Sequence, residues 1–152
     1  MRSMPRRHLL VLCACLATTA WAADPARGTR DEAKALAEAA AAHVNSVGGE
    51  QAYKDFADAK WHPKDMYVFA MDMKANMLYH GANAKLVGKN FEDVRDSSGK
   101  EFNKEMIAAA KKGSGWVDYQ WAHPVTKKVE DKTSHIVKVS KPEGFVGVGI
   151  YR

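Results

Sequence analysis

The chain has 152 residues, of which 46% are hydrophobic and 27% charged, and this length and balance fit one globular domain. Its net charge of +5 comes from lysines and arginines interleaved with acids, so it does not indicate a nucleic-acid-binding surface. Both cysteines, Cys13 and Cys15, lie near the N-terminus, which excludes a disulfide, a thiolate nucleophile or a cysteine-ligated metal from the rest of the chain.

The first 22 residues have the pattern of a secretory signal peptide. Three arginines precede an apolar run over residues 9–21 that is too short to span a membrane, and residues 20–22 form a small-x-small cleavage site. We therefore predict export to the periplasm. Cleavage of the signal peptide removes its three arginines and leaves 20 Lys and Arg against 18 Asp and Glu, a net charge of +2. A less favoured alternative is a lipid anchor at Cys15, because the residues before it loosely resemble a lipobox.

Two helices are predicted in the first half of the mature chain. Residues 23–32 form a tether and the start of a helix, where Thr29 and Glu32 make a capping box. Apolar residues then recur at helical spacing up to Val47, and the glycines that follow end the helix. A second, shorter helix is predicted over residues 50–59.

Strands and one further helix follow. The apolar run 66–71 predicts a strand covered on both faces, residues 77–80 a return strand, and residues 81–95 a loop with a helical turn. Residues 98–101 form another capping box before a helix that ends at Gly113. Three further strands are predicted at residues 116–122, 130–140 and 145–151. Since no crossover helix separates them, the sheet should be antiparallel and the fold α+β.

This order of elements and several short stretches resemble the single-Cache family of bacterial extracytoplasmic sensor domains. The matching stretches are residues 65–72, 78–80, 86–90, 96–100, 115–121 and 148–151, with Pro124 and Lys132. One departure is Gly81, since the family usually has proline after the histidine at this point.

The resemblance implies a long N-terminal helix packed on a PAS-like antiparallel sheet, with residues 33–152 as the single Cache domain. It also implies a ligand pocket between the sheet and its inserted loops. Members typically bind small organic acids as the outer part of chemoreceptors or histidine kinases.

A carboxylate clamp is predicted on the hairpin formed by the strands at residues 116–122 and 130–140. The two-residue period of a strand puts Tyr119 and Trp121 on one face. With a four-residue turn at 125–128, Trp121 would pair with Lys132 and Tyr119 with Ser134, which places the Lys132 ammonium beside two aromatic rings. The alternative is that Lys132 only protects a sheet surface.

Further binding residues are predicted on the first two strands. His80 is a candidate donor to an anionic ligand, with Tyr67 and Phe69 as walls, and the Tyr67 hydroxyl needs a partner when buried. The alternative is that His80 caps a strand end and the aromatic residues are ordinary core. In the last strand, Gly147 and Gly149 leave one face bare, and packing of a helix against it is the favoured interpretation.

Metal binding and catalysis are not predicted. No histidines stand at i, i+4 ligand spacing, although His123 and His135 could face each other across the hairpin. No nucleophile elbow, phosphate-binding loop or haem-attachment motif is present, so neither an enzyme nor a cofactor is expected.

The sequence therefore predicts a soluble periplasmic sensory domain that binds a small organic anion, such as a short carboxylate. It would present its bound state to a membrane sensor protein, with no nucleic-acid partner and no membrane span of its own. The alternative is a periplasmic partner-binding or structural protein whose pocket is vestigial.

Overall fold

A computed structural model describes residues 26–152. In this part of the chain a long helix packs on one face of a five-stranded antiparallel sheet, so the predicted α+β architecture is confirmed. The predicted signal peptide, its cleavage site and the alternative lipid anchor at Cys15 lie outside the described residues. None of the helices between residues 26 and 152 is both long and apolar enough to cross a membrane.

The described segment contains three α-helices. They are α1 (Arg30–Val47), α2 (Gly49–Asp55) and α3 (Phe102–Lys111). The predicted capping box of α1 is confirmed: the Thr29 hydroxyl accepts the backbone N–H of Glu32, and the Glu32 carboxylate accepts the backbone N–H of Thr29. α2 ends at Asp55, earlier than predicted, and a short 3-10 turn follows it.

The start of α3 differs from the prediction. It begins at Phe102 without a side-chain cap, so the predicted capping box at residues 98–101 is wrong. The physical reason is that the Asp96 carboxylate accepts hydrogen bonds from the backbone N–H groups of Ser98 and Lys100. These bonds hold the segment in a turn, which an Asp side chain favours over a helix.

The five strands form one sheet in the order β2-β1-β5-β4-β3, and all neighbours are antiparallel. They are β1 (Val68–Asp72), β2 (Met77–His80), β3 (Ser114–Ala122), β4 (Val129–Ser140) and β5 (Glu143–Tyr151). β2 has the predicted bounds, β1 differs from its prediction at both ends, and the other three begin one or two residues earlier than predicted.

The register of the β3–β4 hairpin also differs from the prediction. Residues 123–128 form its loop, which is longer than the four-residue turn that was predicted, and Tyr119 pairs with Lys132 while Trp121 pairs with Glu130. Because the error is a shift of two residues, each side chain stays on the face to which it was assigned.

The sheet has two different faces, which β5 illustrates. Val146 and Val148 lie on the surface covered by α1, which we call the helix face. Tyr151 lies on the opposite surface, which we call the pocket face and which α3 and the loop of residues 81–101 cover. Gly147 and Gly149 also belong to the pocket face, where the Phe69 ring lies against the first and the side chains of Lys132 and Ser134 against the second, so the favoured interpretation that a helix packs against them is wrong.

Candidate ligand-binding site

A buried lysine lies at the centre of the pocket face. Lys132 is only 1% exposed, and its Nζ donates a hydrogen bond of 2.7 Å to the hydroxyl of Tyr67. The same atom lies 4.1 Å from the centroid of the Tyr67 ring and 4.8 Å from that of Tyr151. Such distances are typical of cation–π interactions, so aromatic rings partly stabilise the ammonium group.

Gly149 explains how the lysine fits flat against the sheet. A Cβ atom added at Gly149 would collide with Cε of Lys132 and with the hydroxyl of Ser134. The missing side chain therefore provides the space along which the lysine stem runs. A neighbouring glycine, Gly147, gives the Phe69 ring room in the same way.

The hydroxyl groups around Lys132 form a chain whose direction can be assigned. The Tyr151 hydroxyl donates to the carbonyl oxygen of Ala122 at 2.9 Å, so it must accept from the Tyr67 hydroxyl, which lies 3.1 Å away. Since the Tyr67 proton is used in this way, its oxygen accepts from Lys132. The tyrosines thus bind Lys132 without neutralising its charge.

Lys132 has no counterion within the described part of the chain. None of the carboxylates between residues 26 and 152 lies within 4.0 Å of its Nζ, although the more distant Asp65 favours the charged form. Burial lowers the pKa of Lys132 to about 7, because the ammonium group loses its hydration. A buried, unpaired cation of this kind is a strong attractant for a small anion.

His80 presents a hydrogen-bond donor beside this lysine. Its Nδ1 accepts the backbone N–H groups of Ala82 and Asn83 at 3.3 and 3.0 Å, so in the neutral ring the proton resides on Nε2. Burial, and secondarily the charge of Lys132, lower the pKa of His80 to about 3. The imidazole is therefore a neutral donor across the physiological pH range, and its ring lies 4.9 Å from that of Tyr67.

Two hollows meet at Trp121, which lines both of them. The inner one is a cavity of about 20 Å³, enough for about one water molecule. Its walls are mainly aromatic rings and methionines: Phe69, Met71, Met77, Phe91, Phe102, Met106, Tyr119 and Trp121, with His80 and Asn103 as polar members. The outer hollow, of about 140 Å³, lies between the loop after β2 and the β3–β4 hairpin loop, and Tyr67 is part of its wall.

The six residues predicted to bind ligand lie on the pocket face, but only five of them line the two hollows. Lys132 lines neither hollow, and its Nζ is in contact with Tyr67, which lines the outer one. Tyr67, Phe69, His80, Tyr119 and Lys132 are buried and Trp121 is half-buried. Gly81 belongs to this arrangement, because its backbone N–H donates to the carbonyl oxygen of Val68 at 2.9 Å, a bond that the family's usual proline could not make.

Sequence reasoning missed two polar members of the site. Tyr151 takes part in the hydroxyl chain, and Asn103 is a buried residue of α3 that lines the inner cavity. A signal for Asn103 was present, because it stands three residues before Met106 and seven before Ala110, on the apolar stripe of the helix. A polar residue on such a stripe needs an explanation.

The two histidines that were considered as a pair lie apart. His135 pairs with Trp116 on the helix face, whereas His123 lies in the hairpin loop near Asp65, so the two do not face each other. Over residues 26–152, no group of three or more His, Cys, Asp or Glu side chains is placed to hold a metal ion.

Comparisons with known proteins agree with this geometry. A family model described as Single Cache domain 2 matches residues 17–152. The chain is 36% identical over 88 residues to the sensor histidine kinase MctS of Rhizobium johnstonii, and 31% identical over 114 residues to the methyl-accepting chemotaxis protein McpP of Pseudomonas putida. These alignments cover 58% and 74% of this chain but 19% and 21% of those proteins, so the chain spans about a fifth of their length.

Solved structures share the fold. A methyl-accepting chemotaxis protein from Vibrio parahaemolyticus has a TM-score of 0.70 and 25% identity, with 80% of this chain and 86% of that one covered. A Cache chemosensory domain described for its recognition of carboxylic acids has a TM-score of 0.68 and 24% identity, over 80% and 91% of the two chains. The predicted Cache architecture is thereby confirmed.

Proposed function

Since the chain belongs to the single Cache domain 2 family, we propose that it senses a short organic carboxylate, which binds at Lys132 on the pocket face. The observation that carries this proposal is a fully buried lysine with no carboxylate partner within the described segment. A ligand carboxylate would supply the missing negative charge and accept the N–H groups that Tyr67 leaves unused.

The remaining predicted residues have complementary roles in this proposal. The Nε2–H group of His80 would donate to the second carboxylate oxygen, while Tyr119, Trp121 and Phe69 would enclose the carbon chain of the ligand. This division, with a few polar groups in an otherwise apolar wall, is typical of small-molecule sites. The fold that the chain shares with a carboxylic-acid-recognising Cache domain is consistent with it.

Entry of the ligand requires movement of the lining. The inner cavity has room for about one water molecule, so even a two-carbon acid needs more space. Unbranched methionine side chains such as Met71, Met77 and Met106 can repack readily. Movement of the loop around residues 86–95, which contributes Phe91 to the inner cavity and Leu86 to the outer hollow, would then signal the bound state.

The cellular setting follows from the same proposal. We place the domain in the periplasm, exported by a signal peptide at residues 1–22, where it would report to a membrane sensor protein. Its matched relatives are a sensor kinase and chemotaxis receptors, which supports a sensory and non-catalytic role.

Isothermal titration with the sodium salts of acetate, propionate and butyrate tests the proposal. We expect Lys132→Met to raise the Kd of the tightest ligand at least about hundredfold, because a buried charge pair is lost. The matched control is Lys138→Met, which changes an exposed lysine of the same strand and should alter Kd less than about twofold. Equal affinity of wild type and Lys132→Met would refute the clamp.

One observation favours the second candidate, a partner-binding or structural protein with a vestigial pocket. The chain of hydrogen bonds from Lys132 through Tyr67 and Tyr151 is complete without a ligand, and the inner cavity is small. A melting temperature that no carboxylate raises, together with retained binding to a sensor protein, would support this candidate.

A further inference from the structure

An asparagine side chain in the inner cavity has one half of its amide without a protein partner. Asn103 is 1% exposed, and its Nδ2 donates to the carbonyl oxygen of Phe91 at 2.8 Å. Because a carbonyl oxygen can only accept, this bond fixes which end of the amide is nitrogen. The other end, Oδ1, is buried and receives no hydrogen bond from any residue in the described range 26–152.

Such an oxygen is costly unless something donates to it. A buried polar atom without a partner destabilises the folded state, and most such atoms in proteins are satisfied. Asn103 lines the same cavity as His80 and Trp121, which the proposed function assigns to the ligand. A donor group on the ligand would therefore meet an acceptor that is already in place.

We infer that Asn103 is a specificity-determining residue that accepts a hydrogen bond from a hydroxyl group of the ligand, so the preferred ligands are short hydroxy acids. This inference rests on the proposed function: Lys132 would hold the carboxylate, and Asn103 would hold a hydroxyl on the carbon chain. Together they would orient the ligand between β4 and α3.

The surroundings favour a hydroxyl over an ammonium group as this donor. The inner cavity is lined by aromatic and methionine side chains, and none of its lining residues carries a carboxylate. A ligand ammonium group would therefore be desolvated beside a neutral amide, within the field of the Lys132 cation. A hydroxyl group donates the same hydrogen bond without bringing a second positive charge.

Titrating the wild-type protein with matched ligands is the first test. L-Lactate, D-lactate and 3-hydroxypropionate are compared with propionate, which lacks the hydroxyl, and with alanine, which replaces it by an ammonium group. We expect at least one hydroxy acid to bind about tenfold or more tightly than propionate and than alanine. Propionate binding as tightly as every hydroxy acid would overturn the inference while leaving the carboxylate site intact.

Substitution of Asn103 is the second test. In Asn103→Leu the preference for the hydroxy acid over propionate should fall to less than about threefold, while propionate binds as well as before. Asn45→Leu, the same change in α1 on the helix face, should keep the preference. A preference that survives Asn103→Leu would overturn the inference, and the wild-type comparison decides it if that variant does not fold. Failure of all five ligands to bind would refute the proposed function and this inference together.

Discussion

The two faces of the sheet are built from the same strands but from different kinds of side chain. On the helix face, small aliphatic residues such as Val146 and Val148 meet the alanines of α1. On the pocket face, the alternate positions hold aromatic rings, methionines, glycines and a buried lysine. One strand therefore contributes to two cores with different composition.

This difference indicates that the helix face mainly provides stability, whereas the pocket face mainly provides binding. The helix face buries mainly apolar side chains, and burial of apolar surface is the main source of folding free energy. The pocket face buries a cation, a neutral histidine and a free amide oxygen, each of which costs free energy unless a partner is supplied. We therefore expect substitutions on the helix face to change stability, and those on the pocket face to change affinity.

The largest expected effect is on the helix face. Phe56 is fully buried and its ring lies 4.8 Å from that of Trp61. Phe56→Ala should lower the free energy of unfolding by about 3–5 kcal/mol, because it removes a large apolar side chain and leaves a cavity. Chemical denaturation measures this loss, and the ligand Kd of the folded protein should change less than about twofold.

The matched truncation on the pocket face is Phe69→Ala. The Phe69 ring lines the inner cavity and lies 5.9 Å from Nζ of Lys132. This variant should raise Kd at least about tenfold, because the site loses a wall. Equal changes of Kd in both variants would mean that the two faces are not separate in function.

The next effect is the pH dependence of affinity. An anion binds the charged form of Lys132, whose pKa is about 7, while the pKa of His80 is about 3 and that of a carboxylate ligand is below 5. Kd should therefore rise about tenfold for each pH unit above 7, until the pKa of Lys132 in the complex is reached. Titrations from pH 6 to 9 measure it, and a constant Kd across this range would contradict it.

Lys132→Met is the control for this pH dependence. The variant lacks the buried amine, so its remaining weak affinity should be constant from pH 6 to 9. If Kd of the variant still changed about tenfold per pH unit, the titrating group would be a residue other than Lys132.

A smaller effect on affinity is expected from substitution of Gly149, against which the Lys132 stem packs. In Gly149→Ala the new methyl group would occupy the space of the Lys132 stem and displace its ammonium group. We expect Kd to rise about tenfold and stability to fall by about 1–3 kcal/mol through overpacking. Val148→Ala, its neighbour on the helix face, should lose stability without changing Kd. Unchanged affinity in Gly149→Ala would show that the lysine stem can take another path.

Much of this organisation was accessible from the sequence because it depends on local patterns. The capping box at Thr29 and the bounds of β2 are set by neighbouring residues, and the structure has both as predicted. The common face of Tyr119, Trp121 and Lys132 was also predictable, since strand alternation survives a register error of two residues. The loop length itself was not predictable, because several hairpin loops satisfy the same pattern.

Other features depend on contacts between distant residues. The oxygen of Asn103 is left free because the nitrogen of the same amide bonds to Phe91, and no local pattern specifies that pair. Asp96 likewise replaces the predicted helix cap partly because its second oxygen accepts the backbone N–H of Gln120 in β3. The sequence shows which residues are polar, but only the packing decides which polar atoms remain without a partner.

A buried histidine departs from the pattern of an apolar helix face. His135 is 4% exposed and lies under α1, beside Trp116, and neither ring nitrogen has a hydrogen-bond partner within residues 26–152. The charged groups that act on it from α1 are Glu38, Lys34 and Arg30. Burial lowers the pKa of His135 below its usual 6.5, and the charge of Glu38 offsets only part of this effect.

The smallest predicted effect follows from this histidine. As the pH falls below 6.5, the unfolded chain takes up a proton on His135 before the folded protein does, so stability contributed above pH 6.5 is lost on acidification. His135→Phe removes the titrating group. The free energy of unfolding of the variant minus that of the wild type should therefore be larger at pH 5 than at pH 7.5. Denaturation of both proteins at both pH values measures this difference. The carboxylates are the same in both proteins, so their contribution to the pH dependence cancels. Equal differences would mean that His135 gains a proton without loosening α1, and the helix face would then tolerate a buried charge as the pocket face does.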